Sequence, residues 1–297
     1  MNQHDSFTTL QAEGLNRKHA ALLLWEKAKR LGIWNPSSFD FTQDRSDWLQ
    51  LNEAEQYTLQ TLTAHFLAGE EAVTLDLLPL IQAVAKRGFF EDELYLTSFL
   101  WEEAKHVDFF DRIRQEVIDA KDDLHHLHGD NYRFLFYDRL PTDMGRLQED
   151  TSTEALVKAS VTYNMIVEGV LAETGYHVWY TMLKEQGIMP GIVEGIQHVQ
   201  RDESRHIGYA IYLLARLISE GGAPIWMLVQ QEMSTLVTPA LSIINDMFDD
   251  VEGKYGQMPF GLEREAFVNF GLSQFQKRFA RLEKAVNQPL EAILYPG

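Results

Sequence analysis

Residues 101–106 read Trp-Glu-Glu-Ala-Lys-His, and residues 201–206 read Arg-Asp-Glu-Ser-Arg-His. Each stretch holds an acid, a glutamate, a spacer, a base and a histidine, and the second copy follows the first by 100 residues. Three residues turn an α-helix by about 300°, so Glu103 shares a helix face with His106, and Glu203 with His206. A carboxylate and an imidazole placed this way converge on one ion. A single Glu-x-x-His arises often by chance and then reads as ordinary surface residues. Two copies in the same local frame call for a common purpose.

Outward from each copy, the preceding helix carries a glutamate inside apolar sequence. In AGEEAVTLDLL it is Glu70 or Glu71, and in YNMIVEGVLAE it is Glu168. Glu70 is the better choice, because it adjoins Gly69 and the apolar stripe continues through Ala72 and Val73. The order Glu, Glu-x-x-His, Glu, Glu-x-x-His then repeats over two halves of similar length. It is the pattern of ferritin-like dinuclear bundles, in which two helices give a Glu each and two give Glu-x-x-His. Oxygen and imidazole ligands suit iron, manganese or zinc, and carboxylates bridge ion pairs. Four carboxylates balance two divalent cations, whereas the same acids without metal would burden a core severely.

Composition agrees. The 297 residues contain no cysteine, which excludes disulfides, thiolate zinc sites, iron–sulfur clusters and cysteine nucleophiles. A formal charge of −18 argues against nucleic-acid backbone and anionic lipid as partners. The N-terminal MNQHDSFTTL lacks a basic region followed by an apolar run and does not read as a signal peptide. No stretch of about 18 uncharged apolar residues reads as a membrane span. The cytoplasm is the expected compartment.

The chain reads as helices and short polar breaks, with no strand pattern. Expected helices cover 17–31, 53–86, 91–120, about 132–146, 153–186, 191–220, and roughly 224–250 and 261–286. Pro79 is expected to kink the second or mark an irregular turn. Gly88 ends it, and Thr151-Ser152-Thr153 cap the long apolar helix. No linker divides the chain, so the expectation is one all-α domain over 1–297, a four-helix bundle with flanking helices.

At AGEEAVTLDLLP, EEAKH, YNMIVEG-x-LAE-x-GY and DE-x-RH the chain resembles the small subunit of class I ribonucleotide reductase. It is similar above all to that subunit's relatives, the ligand-binding oxidases that hold a manganese/iron pair. The resemblance runs from about residue 20 to 260. It implies one metal site of Glu70, Glu103 and His106 for manganese, and another of Glu168, Glu203 and His206 for iron, with di-iron as a variant. It implies dioxygen activation, an external electron donor, a long-chain fatty acid across the pair and a homodimer. It also implies an ether cross-link between Val73 and Tyr163, and places Tyr176 near the ligand's head group. In the reductase subunit a radical tyrosine usually stands four residues after the first metal histidine. Here that position is Phe110, which has no phenol to oxidise, although a mixed-metal subclass also lacks that tyrosine. The C-terminal LEAILYPG follows closely on the last helix and leaves little room for a partner-docking tail.

Other residues carry weaker readings. Asp202 and Glu102 each precede a ligand glutamate, and Asp202 is the better candidate to hold the far nitrogen of a metal histidine, His106. Lys105 and Arg205 read as carboxylate partners. Gly69, Ala72, Gly169, Ala172 and Gly175 either leave a cavity near the ligands or allow close packing. His125, His126 and His128 read as a solvated loop, and His65, His177 and His198 as structural. The whole reads as a metal-dependent oxidase acting on C–H bonds of an apolar substrate. A reductase radical subunit and a ferritin-like storage protein are the alternatives.

Overall fold

The computed structural model describes residues 6–296; the first half of the N-terminal decapeptide and residue 297 lie outside the described residues. Helices α1 (Ala20–Leu31), α2 (Thr42–Trp48), α3 (Glu53–Lys86) and α4 (Phe90–Arg112) lead into a π-helical turn, Ile113–Ile118. Short helices α5 (Asp130–Arg133) and α6 (Leu140–Arg146) flank a second π segment, Phe134–Arg139. Then α7 (Thr153–Ser160), a π stretch Val161–Ala172, α8 (Glu173–Trp179) and a last π turn Tyr180–Lys184 form one long helix. Helices α9 (Pro190–Gly221), α10 (Ala223–Tyr255), α11 (Arg264–Ala285) and α12 (Leu290–Leu294) complete the chain. No strand occurs among the described residues. The fold is all-α and ferritin-like.

Local chemistry sets the ends of the bundle helices. Asn52 accepts from the backbone N–H groups of Ala54 and Glu55, while the Glu55 carboxylate accepts from the Asn52 N–H. This reciprocal cap starts α3, and losing such a cap costs about 1 kcal/mol. Ser152 caps the long helix by accepting from the Ala155 N–H. Gly88 stops α3 at φ +76°, a conformation that disfavours a side chain.

The expected kink at Pro79 gives way to an uninterrupted α3. Proline at 79 removes the donor to the Leu75 carbonyl, but Leu75 is 63% exposed, so the break falls on the solvent side of the helix, where it costs least. Helix α10 likewise runs through Pro239. The sequence reading missed α2 and α12, which are too short to show a helical period.

Helices α3, α4, the long helix and α9 form the four-helix core. Helix α1 packs on α4 and α9, while α10 and α11 cover the Val161–Ala172 stretch. One apolar cluster fills the end around Leu77, Phe99, Tyr163 and Leu213. A second surrounds Phe66, Phe110, Tyr176 and Trp179. The helix Thr153–Lys184 is long and apolar enough to cross a membrane by composition alone, which the sequence reading had not seen; most of its apolar window is buried inside the bundle.

Candidate metal centre

Between the two clusters lie six buried ligand-type side chains, one or two from each core helix. Glu70 comes from α3, Glu103 and His106 from α4, Glu168 from the π stretch, and Glu203 and His206 from α9. Each of the six is at most 5% exposed. Glu71, the alternative to Glu70, is exposed. Two groups have ligand atoms within 4.8 Å of one another: Glu70, Glu103, His106 and Glu203, and Glu103, Glu168, Glu203 and His206. Glu103 and Glu203 belong to both groups.

The histidines point the same nitrogen inward. His106 Nδ1 lies 3.4 Å from Glu70, 3.7 Å from Glu103 and 3.4 Å from Glu203. His206 Nδ1 lies 2.9 Å from Glu103, 3.8 Å from Glu168 and 3.5 Å from Glu203. Their outer nitrogens meet acids across the bundle. Nε2 of His106 is 3.4 Å from Asp202, and Nε2 of His206 is 2.9 Å from Glu102. Each Glu-x-x-His therefore has its histidine braced by the acid that precedes the other copy's glutamate.

Arg205 donates to both bracing acids, and Lys105 donates to Asp202 at 3.1 Å and to the Gly32 carbonyl at 2.6 Å. Trp34 donates its indole N–H to Asp202 at 2.7 Å and stacks beside His106. Trp34 does not stand out in the sequence, and Gly32 reads there only as the break after the first helix. Both lie after α1, outside any helical period, and a Cβ on Gly32 would collide with the Glu102 carboxylate.

The six residues fit a metal pair. Both Glu103 oxygens, one oxygen each of Glu168 and Glu203, and Nδ1 of both histidines are buried with no hydrogen-bond partner. Orphaned buried polar atoms are costly, and six in one place form a ligand set. The charge agrees: six acids, counting Glu102 and Asp202, against Arg205 and Lys105 leave four negative charges, which two divalent ions neutralise. Burial pushes the Glu70 carboxyl up to about 8 and raises Glu168 well above the carboxylate range, the latter aided by Glu203. Burial also opposes Glu103, but the adjoining imidazoles hold it down at about 2. Burial disfavours charge on His106 and His206, yet the surrounding carboxylates raise both well above the usual range. The cluster draws positive charge into itself.

Beside the centre runs an apolar cavity. Glu70, Glu168 and Glu203 line it where it meets the centre, and Phe66, Val167, Leu171 and Ile243 are among its apolar walls. Gly69, Ala172 and Gly175 line it; Ala72 and Gly169 do not. Val73 lines it too, and the buried Tyr163 donates its hydroxyl proton to the Val73 carbonyl at 3.1 Å. Tyr176 is buried with its hydroxyl unpartnered, behind Phe66 rather than on the cavity wall. Phe110 is buried and stacks on Phe66.

The remaining histidines lie apart. His125 and His126 are exposed, but His128 departs from the expected solvated loop. It is buried, with Nδ1 2.9 Å from the Tyr137 hydroxyl and Nε2 3.2 Å from the Ala64 carbonyl. Those two partners make burial tolerable. His177 stacks on Phe270, and His198 packs against Trp34.

Known proteins carry the same architecture. The model of the ribonucleotide reductase small chain matches residues 16–271. A tyrosine-to-phenylalanine variant of an R2-like ligand-binding oxidase with an aerobically reconstituted Mn/Fe cofactor is 37% identical, with a TM-score of 0.87 over 94% of this chain and 98% of that one. A glutamate-to-aspartate variant of such an oxidase, also with an aerobically reconstituted Mn/Fe cofactor, is 37% identical, with a TM-score of 0.88 over 94% of this chain and 99% of that one. A glycine-to-leucine variant with an anaerobically reconstituted Mn/Fe cofactor has the same identity and a TM-score of 0.88, over 94% and 98%. On the extent of these matches, the chain belongs to the ribonucleotide reductase small-chain family.

Proposed function

We infer that this chain is a metal-dependent oxidoreductase that uses dioxygen at a dinuclear manganese/iron, or di-iron, carboxylate centre. The observation that carries the reading is the set of orphaned, buried ligand atoms on Glu103, Glu168, Glu203 and the two histidines, with Glu70 grouped beside them. One ion would be held by Glu70, Glu103 and His106 and the other by Glu168, Glu203 and His206, with Glu103 and Glu203 placed to reach both. When bound, the pair supplies the electrons that reduce dioxygen and the oxidising power directed at C–H bonds.

The chain's own groups prepare that chemistry. Asp202 and Glu102 accept from the Nε2–H of each histidine, which leaves each Nδ1 lone pair free for an ion. The phenyl and aliphatic walls of the cavity exclude water and accept an alkyl chain, with its carboxylate at the glutamate end. A long-chain fatty acid fits that polarity, and Tyr176 is the residue proposed for its head group. The Tyr163 hydroxyl already rests against Val73. Joining the phenol oxygen to Cβ of Val73 removes the phenolic hydrogen and the tertiary C–H hydrogen, with dioxygen taking the two electrons and two protons. A homodimer and a separate electron donor complete the reading.

A second reading, a radical-generating reductase subunit, has the family match in its favour. Phe110 counts against it, because no phenol stands at the expected radical position. Co-purification with a large catalytic subunit would decide for it.

The test of the main reading is elemental analysis. Purified protein should carry close to two iron or manganese ions per chain, and Glu103→Ala or Glu203→Ala should lower that number. Absence of both metals from protein reconstituted with excess iron and manganese would sink it.

A further inference from the structure

A run of aromatic side chains leads from His206 to the surface. The Phe99 ring stacks flat on the His206 imidazole, 3.6 Å between centroids and 16° between planes. Phe99 meets Tyr95 at 6.1 Å, Tyr95 lies 4.9 Å from Tyr209, and Tyr209 lies 5.8 Å from Tyr212. Tyr212 contacts His19 at 5.6 Å, and His19 contacts Tyr295 at 5.9 Å. Phe99, Tyr95 and Tyr209 have no exposed surface, whereas Tyr295 is 39% exposed.

One buried acid serves this run. Asp92, fully buried on α4, accepts hydrogen bonds from both the Tyr209 and the Tyr212 hydroxyls at 3.2 Å. Arg216 stands 3.8 Å from its carboxylate. A buried carboxylate is expensive and needs a reason. Asp92 takes no part in the candidate metal centre. The Tyr95 hydroxyl, by contrast, is buried without any partner.

The difference decides where an oxidising equivalent settles. A phenol that loses an electron becomes a strong acid, so it is oxidised readily only when a base takes its proton. Tyr95 has no such base; Tyr209 and Tyr212 share Asp92. We propose that Phe99, Tyr95, Tyr209, Tyr212 and Asp92 form a proton-coupled electron relay between the metal-binding His206 and the surface at Tyr295. The proposal rests on the oxidase reading for its oxidant. Tyr209 passes one electron inward through Tyr95 and Phe99 and gives its phenolic proton to Asp92. Tyr212 then passes an electron to the Tyr209 radical and its proton to Asp92 as Tyr209 recovers its own. A one-electron reductant of the ascorbate or thiol class restores Tyr212 from the surface, and Tyr212 takes its proton back from Asp92. In net, one electron enters from the reductant, whose own proton goes to water, and one oxidising equivalent leaves the centre without attacking the protein.

Two arms test the relay in the full-length chain. In the first, metal-loaded reduced protein is mixed with dioxygen, frozen within milliseconds and examined by electron paramagnetic resonance, with dioxygen uptake recorded in parallel. In the second, photo-oxidised ruthenium tris-bipyridine removes electrons from the metal-free protein at its surface. Wild type should show a tyrosyl signal in both arms. Tyr209→Phe should lose the dioxygen-arm signal. Asp92→Asn, nearly isosteric and with every phenol intact, should lose the dioxygen-arm signal and, in the photochemical arm, the part of the signal that Tyr212→Phe removes from wild type, since surface phenols such as Tyr57, paired with Asp250, give a signal of their own; thermal melts check that each variant is folded. A Tyr212-dependent photochemical signal unchanged in Asp92→Asn overturns the relay, whatever the first arm shows. Dioxygen uptake in wild type with no signal that depends on Tyr209 overturns its link to the centre. A Tyr212-dependent photochemical signal lost in Asp92→Asn, with no dioxygen uptake by wild type, supports the relay and overturns the oxidase reading instead.

Discussion

At the scale of single residues, a side chain's role here follows from which partner it lacks. His106 and His206 each satisfy Nε2 with an acid and leave Nδ1 open, and that asymmetry sets these candidate ligands apart from His128, which satisfies both nitrogens. Tyr163 is a different case. Its hydroxyl is satisfied by the Val73 carbonyl, so hydrogen bonding alone describes a quiet core tyrosine. What sets it apart is its contact with Val73, which lines a cavity that reaches Glu70 and Glu168. Protein loaded with metal without air and then exposed to dioxygen should lose the mass of two hydrogens. Its Val73 and Tyr163 tryptic peptides should migrate as one. Tyr163→Phe should abolish the joining and leave metal content near wild type; separate peptides from loaded, aired wild type would remove the cross-link from the account.

At the scale of elements, glycines decide how closely the helices approach. A Cβ at position 195 of α9 would overlap the Phe109 ring of α4, and both sites are buried. Gly195→Ala must push that ring off its position at a cost of about 1–3 kcal/mol. For a chain of this size, that lowers the melting temperature by several degrees, on the order of 2–4 °C per kcal/mol. A scanning-calorimetry midpoint equal to wild type would show that α4 and α9 have slack there. Gly69 behaves differently, since a Cβ there meets nothing closer than 3.6 Å and faces the cavity. Gly69→Leu should therefore fold normally, keep its metals and lose any alkyl ligand. Mass spectrometry of solvent extracts should find a fatty acid in near-stoichiometric amount with wild type and little with the variant. Equal recovery from both would place the ligand elsewhere.

At the scale of the whole molecule, the candidate centre draws on all four core helices, which elsewhere meet through apolar contact and a few buried hydrogen bonds such as Tyr209 to Asp92 and Tyr163 to the Val73 carbonyl. Glu70, Glu103, Glu168 and Glu203 bring four carboxylates into one buried space, and cations between them convert repulsion into cross-bracing. Metal that binds only the folded state at about 1,000 times its dissociation constant adds about 4 kcal/mol per ion. Two ions at that level add about 8 kcal/mol, so chelator-treated protein should melt on the order of 20 °C lower than loaded protein, and restoring manganese and iron should return the midpoint. Midpoints that coincide would mean that the acids are stabilised without ions.

The all-α class, the main helix spans and the six ligand-type residues were legible in the sequence. All three depend on local spacing: a 3.6-residue period, a three-residue step from Glu to His, and caps read from adjacent residues. The tertiary structure alone decided the rest. It set Glu103 and Glu203 between both histidines, and paired Glu102 with His206, where the sequence offers only Asp202 for His106. It also brought Trp34 and Gly32 to Asp202 and Glu102, and aligned Phe99, Tyr95, Tyr209 and Tyr212 into a path from His206 to the surface. The physical reason is that these contacts join residues far apart in the chain, such as Trp34 and Asp202, separated by 168 positions. Helical periodicity says which face a residue occupies. Only the packing of one helix against another says what that face meets.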